Sequence, residues 1–535
     1  MGRNPEAFSH GGPVVFLSRP EALAVDPLGA DFDGIPALTA EQCMPETRTR
    51  QSVKAMVAEG ELMVQAAARE VAVERLSDAK GEEESWAELE GPTLEALLTP
   101  DAQLGQAPVR LLDARFLIKL AARDLFLLPR HSTPDDAFIP LERLRMMPPA
   151  NTTGLRILCI SHIWLQPDHP DPRRYTLQLV AHLLRVLLEE HGGTFAVFLD
   201  FSCLCSREGV HGEQQLFHRA LQAQGELFVH PYTWVAKVTA LPKAYPRGFV
   251  FRAGTRPNVA KYHERGWTYG EAHMASLIKV NTSHVLNLGH FGRALQAFQI
   301  KARRGELNDE EMRKWVPIGC DMECLLDHCR CYRLVPLTPG QFQASLEGKA
   351  FTRRSDFAIV SSLYRRACLR MKSIKALDYS QHGWGDREAF QVAKLIGNGY
   401  GEACIRLFLG NNKIGDEGVA AIAAALRSAR CLRLESIDLR GNPAKAESRQ
   451  LVRDAVDELL AQGVMLSDKV RIFGAPEHQA VLIQRRVRQK LARATRKLAL
   501  LTGNITGHAT GNVTEKNVVG NNLEGSLGAG RGEGE

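Results

Sequence analysis

The chain has 535 residues, of which 44% are hydrophobic and 24% charged. That composition is ordinary for a globular protein and leaves room for about three domains. A net charge of +6 is small for this length and gives no electrostatic case for a nucleic-acid partner, and no apolar run reaches the ~18 residues of a membrane-spanning helix.

Eleven cysteines, odd in number and scattered, fit a reducing, cytoplasmic interior better than a disulfide framework. The opening MGRNPEAFSHGG lacks the apolar core of a secretory signal, and Glu6 stands where a myristoylation signal takes Ser or Thr. Residues 1–50 are rich in Gly, Pro and turn formers and are expected to be poorly ordered. Residues 51–153 read as a helical region and linker. KAMVAEGELMVQAAAREVAVERL and LLDARFLIKLAARDLFLL carry helical patterns, and the proline-bearing stretch 131–153 leads into the next domain.

From 154 to 300 strands and helices alternate. LRILCIS (155–161), FAVFLDF (195–201), a strand within 227–238 and HVLNLG (284–289) read as buried strands. Residues 175–190, 213–224 and 267–278 read as the helices between them. That alternation predicts an α/β fold with a doubly wound parallel sheet. Residues 301–370 give a mixed pattern and no assignment.

Residues 371–460 repeat themselves. Ile374, Cys404 and Leu434 open three copies, followed in register by Leu377, Leu407 and Ile437 and by Tyr379, Leu409 and Leu439. Asn412 and Asn442 occupy equivalent places, with His382 in the first copy. The cleanest copy is the middle one, which begins with strand-like alternation. It continues into an alanine-rich helical stretch from Gly418 to Leu426, while the third loses its helix signature after Pro443. The pattern resembles leucine-rich repeats of the ribonuclease-inhibitor type. That resemblance implies a short array that binds a protein partner, with Asn412, Asn442, Arg406 and Arg440 as candidate contact residues. With only three copies, the array is expected to lean on other parts of the chain. The plain alternative is an α/β subdomain with accidental similarity.

Residues 461–500 form a C-terminal region containing a basic amphipathic helix, 485–498, suited to an acidic partner, a membrane surface or simple docking. Residues 501–535, rich in Gly and Asn, are expected to be disordered.

Three islands in the α/β region share one predicted edge. Ser161-His162-Ile163-Trp164 with LQPDHPDP follows the first strand, Asp200 ends the second, and Arg265-Gly266-Trp267-Thr268-Tyr269-Gly270-Glu271 opens a helix. Ligands of open parallel sheets bind beyond the carboxyl ends of the strands. Together the islands resemble a TIR-like domain of a divergent protist type, over roughly a third of the chain. The resemblance implies a flavodoxin-like sheet and assembly of the domain with its own kind. Some TIR domains also cleave NAD+ at the nicotinamide–ribose bond. By resemblance Glu271 would then be the catalytic carboxylate, with Ser161, Trp267 and Asp200 lining the substrate site, NAD+ as substrate and no cofactor required. Thr268 departs from the family's usual Cys, and the segment 241–262 has no counterpart. Each residue also has a structural reading: Glu271 as a first-turn helix glutamate, Trp267 as a core aromatic, Asp200 as a strand-exit cap and His162 as a turn residue.

Cys320, Cys324, His328, Cys329 and Cys331 could ligate zinc, but their spacing lacks the paired C-x2-C of structural sites, so no metal is expected. No phosphate-binding G-x4-G-K-[ST], G-x-S-x-G or H-E-x-x-H motif is present.

Overall fold

The computed structural model describes residues 50–77, 92–148, 154–166, 169–172, 174–206, 211–240, 260–289, 291–292, 304–306, 329, 331–428, 433–462 and 470–473. Five strands make the first sheet: β1 (Leu112–Asp113), β2 (Ile157–His162), β3 (Ala196–Phe198), β4 (Trp234–Val238) and β5 (Val285–Asn287), in the order β1-β3-β2-β4-β5. Strands β2 to β5 run parallel and β1 closes one edge antiparallel to β3. β2 is buried at every position, as a strand covered on both faces must be. Between the strands run helices that include α4 (Tyr175–His191), α5 (His211–Ala223), α6 (Gly225–Val229) and α7 (Gly266–Ala275), which follow α1 (Arg50–Ser77), α2 (Pro92–Leu98) and α3 (Ala114–Ala122) of the N-terminal region.

Several boundaries differ from the sequence expectation. LLDARFLIKLAARDLFLL is not one helix. Leu112 and Asp113 pair with β3, so this part of the N-terminal region belongs to the sheet. Asp113 is the reason for the break. Its buried carboxylate accepts from Arg115 N at 2.9 Å and from Thr194 Oγ1 at 2.7 Å, capping α3 and tying it to the sheet. Asp124, at φ 56°, marks the far end of α3. The segment 227–238 divides into α6 and then β4, and FAVFLDF leaves the sheet at Leu199, with Asp200–Cys203 a helical turn.

Among the described residues between the sheet and the repeats are two helices, α8 (Pro339–Leu346) and α9 (Asp356–Arg370). Thr338 and Gln341 form a capping box with Pro339 at the first helical position of α8. Phe342 of α8 stacks on Tyr364 of α9, with ring centroids 3.8 Å apart. α9 lies against α7, where Gly270 allows the close approach: a Cβ there would collide with Val360.

The repeat array has four parallel strands, β6 (Ala376–Asp378), β7 (Arg406–Phe408), β8 (Ser436–Asp438) and β9 (Arg471–Phe473). Leu377, Leu407, Ile437 and Ile472 stand side by side in register. Helices α10 (Asp386–Gly397), α11 (Asp416–Ser428) and α12 (Ala446–Ala461) each follow one strand and pack in series. α12 corrects the expectation that the third copy lacks a helix. Pro443 precedes it without entering it, and Val452, Ala455, Val456 and Leu459 supply its buried stripe. β9 adds a strand beyond the expected end at 460.

The array is joined to the sheet, as expected of so short a repeat. Arg333 is buried between them. Its Nε donates to His382 Nε2 at 2.8 Å and its Nη1 to Lys279 O at 2.9 Å. Tyr379 Oη donates to Leu277 O at 2.9 Å, and Trp384 Nε1 to Arg333 O at 3.3 Å. One hydrophobic core runs from Val64 in α1 through both sheets to Ala455 in α12.

Candidate functional site

The carboxyl edge of the first sheet brings together two of the residues expected there. Ser161, near the end of β2, donates to Glu271 Oε2 of α7 at 2.5 Å. Its Oγ also lies 2.5 Å from Tyr262 Oη, so the tyrosine hydroxyl completes a chain Tyr262–Ser161–Glu271. Tyr262 and Ser161 are buried and Glu271 is half-buried. Burial pushes the Glu271 pKa up to about 8. The Ser161 hydrogen bond opposes the rise, and the charge of Asp200 adds to it. Burial thus favours the protonated carboxyl, which can then donate as well as accept. Burial, and then the nearby Glu271, also raise the Tyr262 phenol well above its ordinary value.

Asp200 forms a separate cluster. It accepts from His162 Nε2 at 3.0 Å, from Trp164 Nε1 at 2.9 Å and from Phe201 N at 2.7 Å. Burial alone would raise its pKa, but the charge of His162 and these hydrogen bonds hold it below the usual carboxylate value. Asp200 thus pins the loop after β2 to the exit of β3, which fits its reading as a strand-exit cap. His169 and Asp171 of the same island are used in the same way. His169 Nδ1 accepts from Asp171 N at 3.0 Å, and Asp171 Oδ2 accepts from Leu177 N at 2.9 Å at the start of α4. Arg265 Nη1 donates to Trp164 O at 2.7 Å, so the third island clamps the first.

Trp267 does not join Ser161. It is half-buried and its Nε1 donates to Asp356 Oδ2 of α9 at 2.9 Å. Gly266, beside it, would collide with Phe351 if it carried a Cβ. Gly266, Trp267 and Gly270 therefore pack α7 onto residues 351–360, while Arg265 holds the loop after β2 and Glu271 meets Ser161 at the edge of the sheet.

In the repeats, Asn412 and Asn442 are buried rather than offered to a partner, which corrects their place among the contact residues. Asn412 Oδ1 accepts from His382 N and Trp384 N, and its Nδ2 donates to Tyr379 O and Leu409 O. Asn442 does the same one copy on, with Ile414 N, Leu409 O and Leu439 O. These amides satisfy backbone groups where the strands turn away. Arg406 is exposed on β7. Arg440 is exposed too, but it pairs with Asp438 at 2.7 Å and lies over the Phe473 ring at 5.0 Å. The outward strand positions align as two rows, Ala376–Arg406–Ser436–Arg471 and Asp378–Phe408–Asp438–Phe473.

Cys320, Cys324 and His328 lie outside the described residues, as does the basic helix 485–498. Cys329 is buried and Cys331 half-buried, and among the described residues no group of three or more His, Cys, Asp or Glu could hold a metal. Among those residues, too, no helix is long and apolar enough to cross a membrane. Sequence reasoning missed Tyr262, which no motif marks, and Lys237, a lone lysine within the apolar strand WVAKV. No protein-family model and no curated protein matches this chain.

Proposed function

We propose that this chain is a recognition scaffold, in which the exposed face of the repeat sheet binds a protein partner and a TIR-like body serves assembly. The observation that carries the reading is the register of the repeat strands. It sets Arg406 and Arg471 in one outward row and Phe408 and Phe473 in the next, on a sheet face braced from behind by α10 to α12. Exposed arginine beside aromatic side chains is the composition of binding hot spots. The strand order β3-β2-β4-β5 is the flavodoxin-like order, which supports the TIR-like assignment alongside the three islands. The decisive experiment isolates the complex from source cells and maps its contacts by cross-linking mass spectrometry. Cross-links at β7 and β9, with loss of the partner in Arg406→Glu/Arg471→Glu of unchanged melting temperature, are expected. A partner retained by that variant refutes the reading.

A second reading, NAD+ hydrolysis by Glu271, is favoured by the convergence of Ser161 and Glu271 at the carboxyl edge of the sheet. An oxocarbenium-like transition state needs a carboxylate. With its pKa near 8, Glu271 supplies one only as pH rises past that value. Nicotinamide release that climbs from pH 7 to 9 in wild type and vanishes in Glu271→Ala supports this reading. No release at any pH, at protein concentrations that favour assembly, removes it.

A further inference from the structure

Lys237 stands in register with Ser161 across β2 and β4 and with Asn287 across β4 and β5. In-register neighbours of parallel strands share a face, so hydroxyl, ammonium and amide line one side of the sheet near its carboxyl edge. The β2–β4 crevice is where the strand order reverses, and there open α/β sheets take their ligands.

Lys237 is only 5% exposed, yet it makes no side-chain hydrogen bond or ion pair among the described residues. The contrast with Lys279 is direct. Lys279 is as deeply buried, and its Nζ donates to His230 O at 2.7 Å, Thr233 O at 2.7 Å and Thr233 Oγ1 at 2.8 Å. A buried lysine with a structural role is satisfied by oxygens, whereas the Lys237 ammonium is left to solvent and to any anion that meets it. The surroundings add positive potential. Burial, with Lys237 and Lys349 adding to it, keeps His273 of α7 neutral. Glu271 is engaged by Ser161, and the chain carries no Asp or Glu between Lys237 and Glu264. Asn287 supplies a second donor. Its Oδ1 accepts from Thr239 Oγ1 at 2.6 Å and from Gly289 N at 3.0 Å, which leaves the amide N–H2 to be satisfied.

We propose that Lys237, with the Asn287 amide beside it, anchors the phosphate group of a small molecule at the β2–β4 crevice. Phosphate is the fitting anion because it offers several acceptor oxygens to adjacent donors, and a lysine serves it as a point charge. The recessed position selects a small ligand over a macromolecular surface. The proposal depends neither on partner binding by the repeats nor on NAD+ turnover.

The test is calorimetric titration of the full chain with inorganic phosphate and with AMP, at fixed ionic strength, in wild type and Lys237→Met. Lys237→Met keeps the apolar stem and removes a charge that pairs with no described residue, so the variant is expected to fold. Saturable binding by wild type is expected, at least about tenfold weaker in the variant. Tighter AMP binding assigns the site to a phosphoester, and equal binding to free phosphate. If the variant does not fold, acetylation of wild-type Lys237, followed by mass spectrometry with exposed Lys375 as internal reference, gives the answer: phosphate should slow labelling of Lys237 alone. No binding by wild type, equal binding by Lys237→Met, or labelling of Lys237 indifferent to phosphate overturns the proposal.

Discussion

Glu271 is half-buried and Lys279 buried, and burial makes stability depend on pH in opposite senses at the two. Glu271 has a folded pKa of about 8 against an ordinary 4.5. The folded state binds the extra proton between those values, so the contribution is complete below 4.5 and is lost as pH rises through 8. Lys279 is depressed by burial from 10.5 to about 7, so the unfolded state binds more protons between those values and stability rises with pH across that window. Glu271→Gln keeps a hydrogen-bonding side chain beside Ser161 and abolishes the first titration. The expected result is a melting temperature that falls less, or climbs more, between pH 6 and 9 in the variant than in wild type. The difference is on the order of 2 kcal/mol. Parallel pH profiles for the two proteins would mean that the carboxyl is solvated and its proton plays no part in stability. Ser161 and Glu271 could be found in sequence because both sit in motif islands. Tyr262 could not, since it reaches Ser161 from a loop 101 residues away. Lys237 had a usable signal, a charge inside a run that is otherwise all apolar.

At the scale of elements, the repeat was readable because one apolar position per strand recurs every thirty residues, and the structure stacks those positions side by side. The third helix was missed because the stretch after Pro443 lacks the alanine-rich signature of the middle copy, and its buried stripe begins only at Val452. β9 escaped because its strand is not thirty residues beyond β8: Ile437 pairs with Ile472, which breaks the period. The asparagines carry the turns between copies. Asn412→Ala removes four hydrogen bonds and leaves buried backbone groups without partners, and Asn442→Ala removes three. At about 1 kcal/mol each, losses of roughly 3–4 kcal/mol are expected for either, measured by urea unfolding. A cost below about 0.5 kcal/mol, typical of surface substitutions, would show that water replaces the amide.

At the scale of the whole molecule, the question is how a short array stays folded beside a sheet of different architecture. The first copy departs from the asparagine pattern at the place where it meets the body. His382 replaces Asn, and its Nε2 accepts from Arg333, which also donates to Lys279 O on the segment following α7. Arg333 is 2% exposed, with Nη2 unpartnered, so a costly buried cation is retained at the junction. Burial lowers its pKa, while Tyr379 and Asp378 oppose the shift. Arg333→Met should therefore remove an unfavourable charge and, at the same time, take away the hydrogen bonds that Arg333 gives to His382 Nε2 and the Lys279 carbonyl. Orphaned buried partners cost about 1–3 kcal/mol, more than the relief expected from one partly satisfied guanidinium. The expected result is a calorimetric transition that broadens or splits, with the array melting ahead of the body. Replacing both partners, Arg333→Met/His382→Leu, should recover most of the loss, because two matched apolar groups leave no polar atom stranded. A double variant no better than the single one would place the coupling in Tyr379 and Trp384, whose hydrogen bonds to Leu277 O and Arg333 O cross the same boundary.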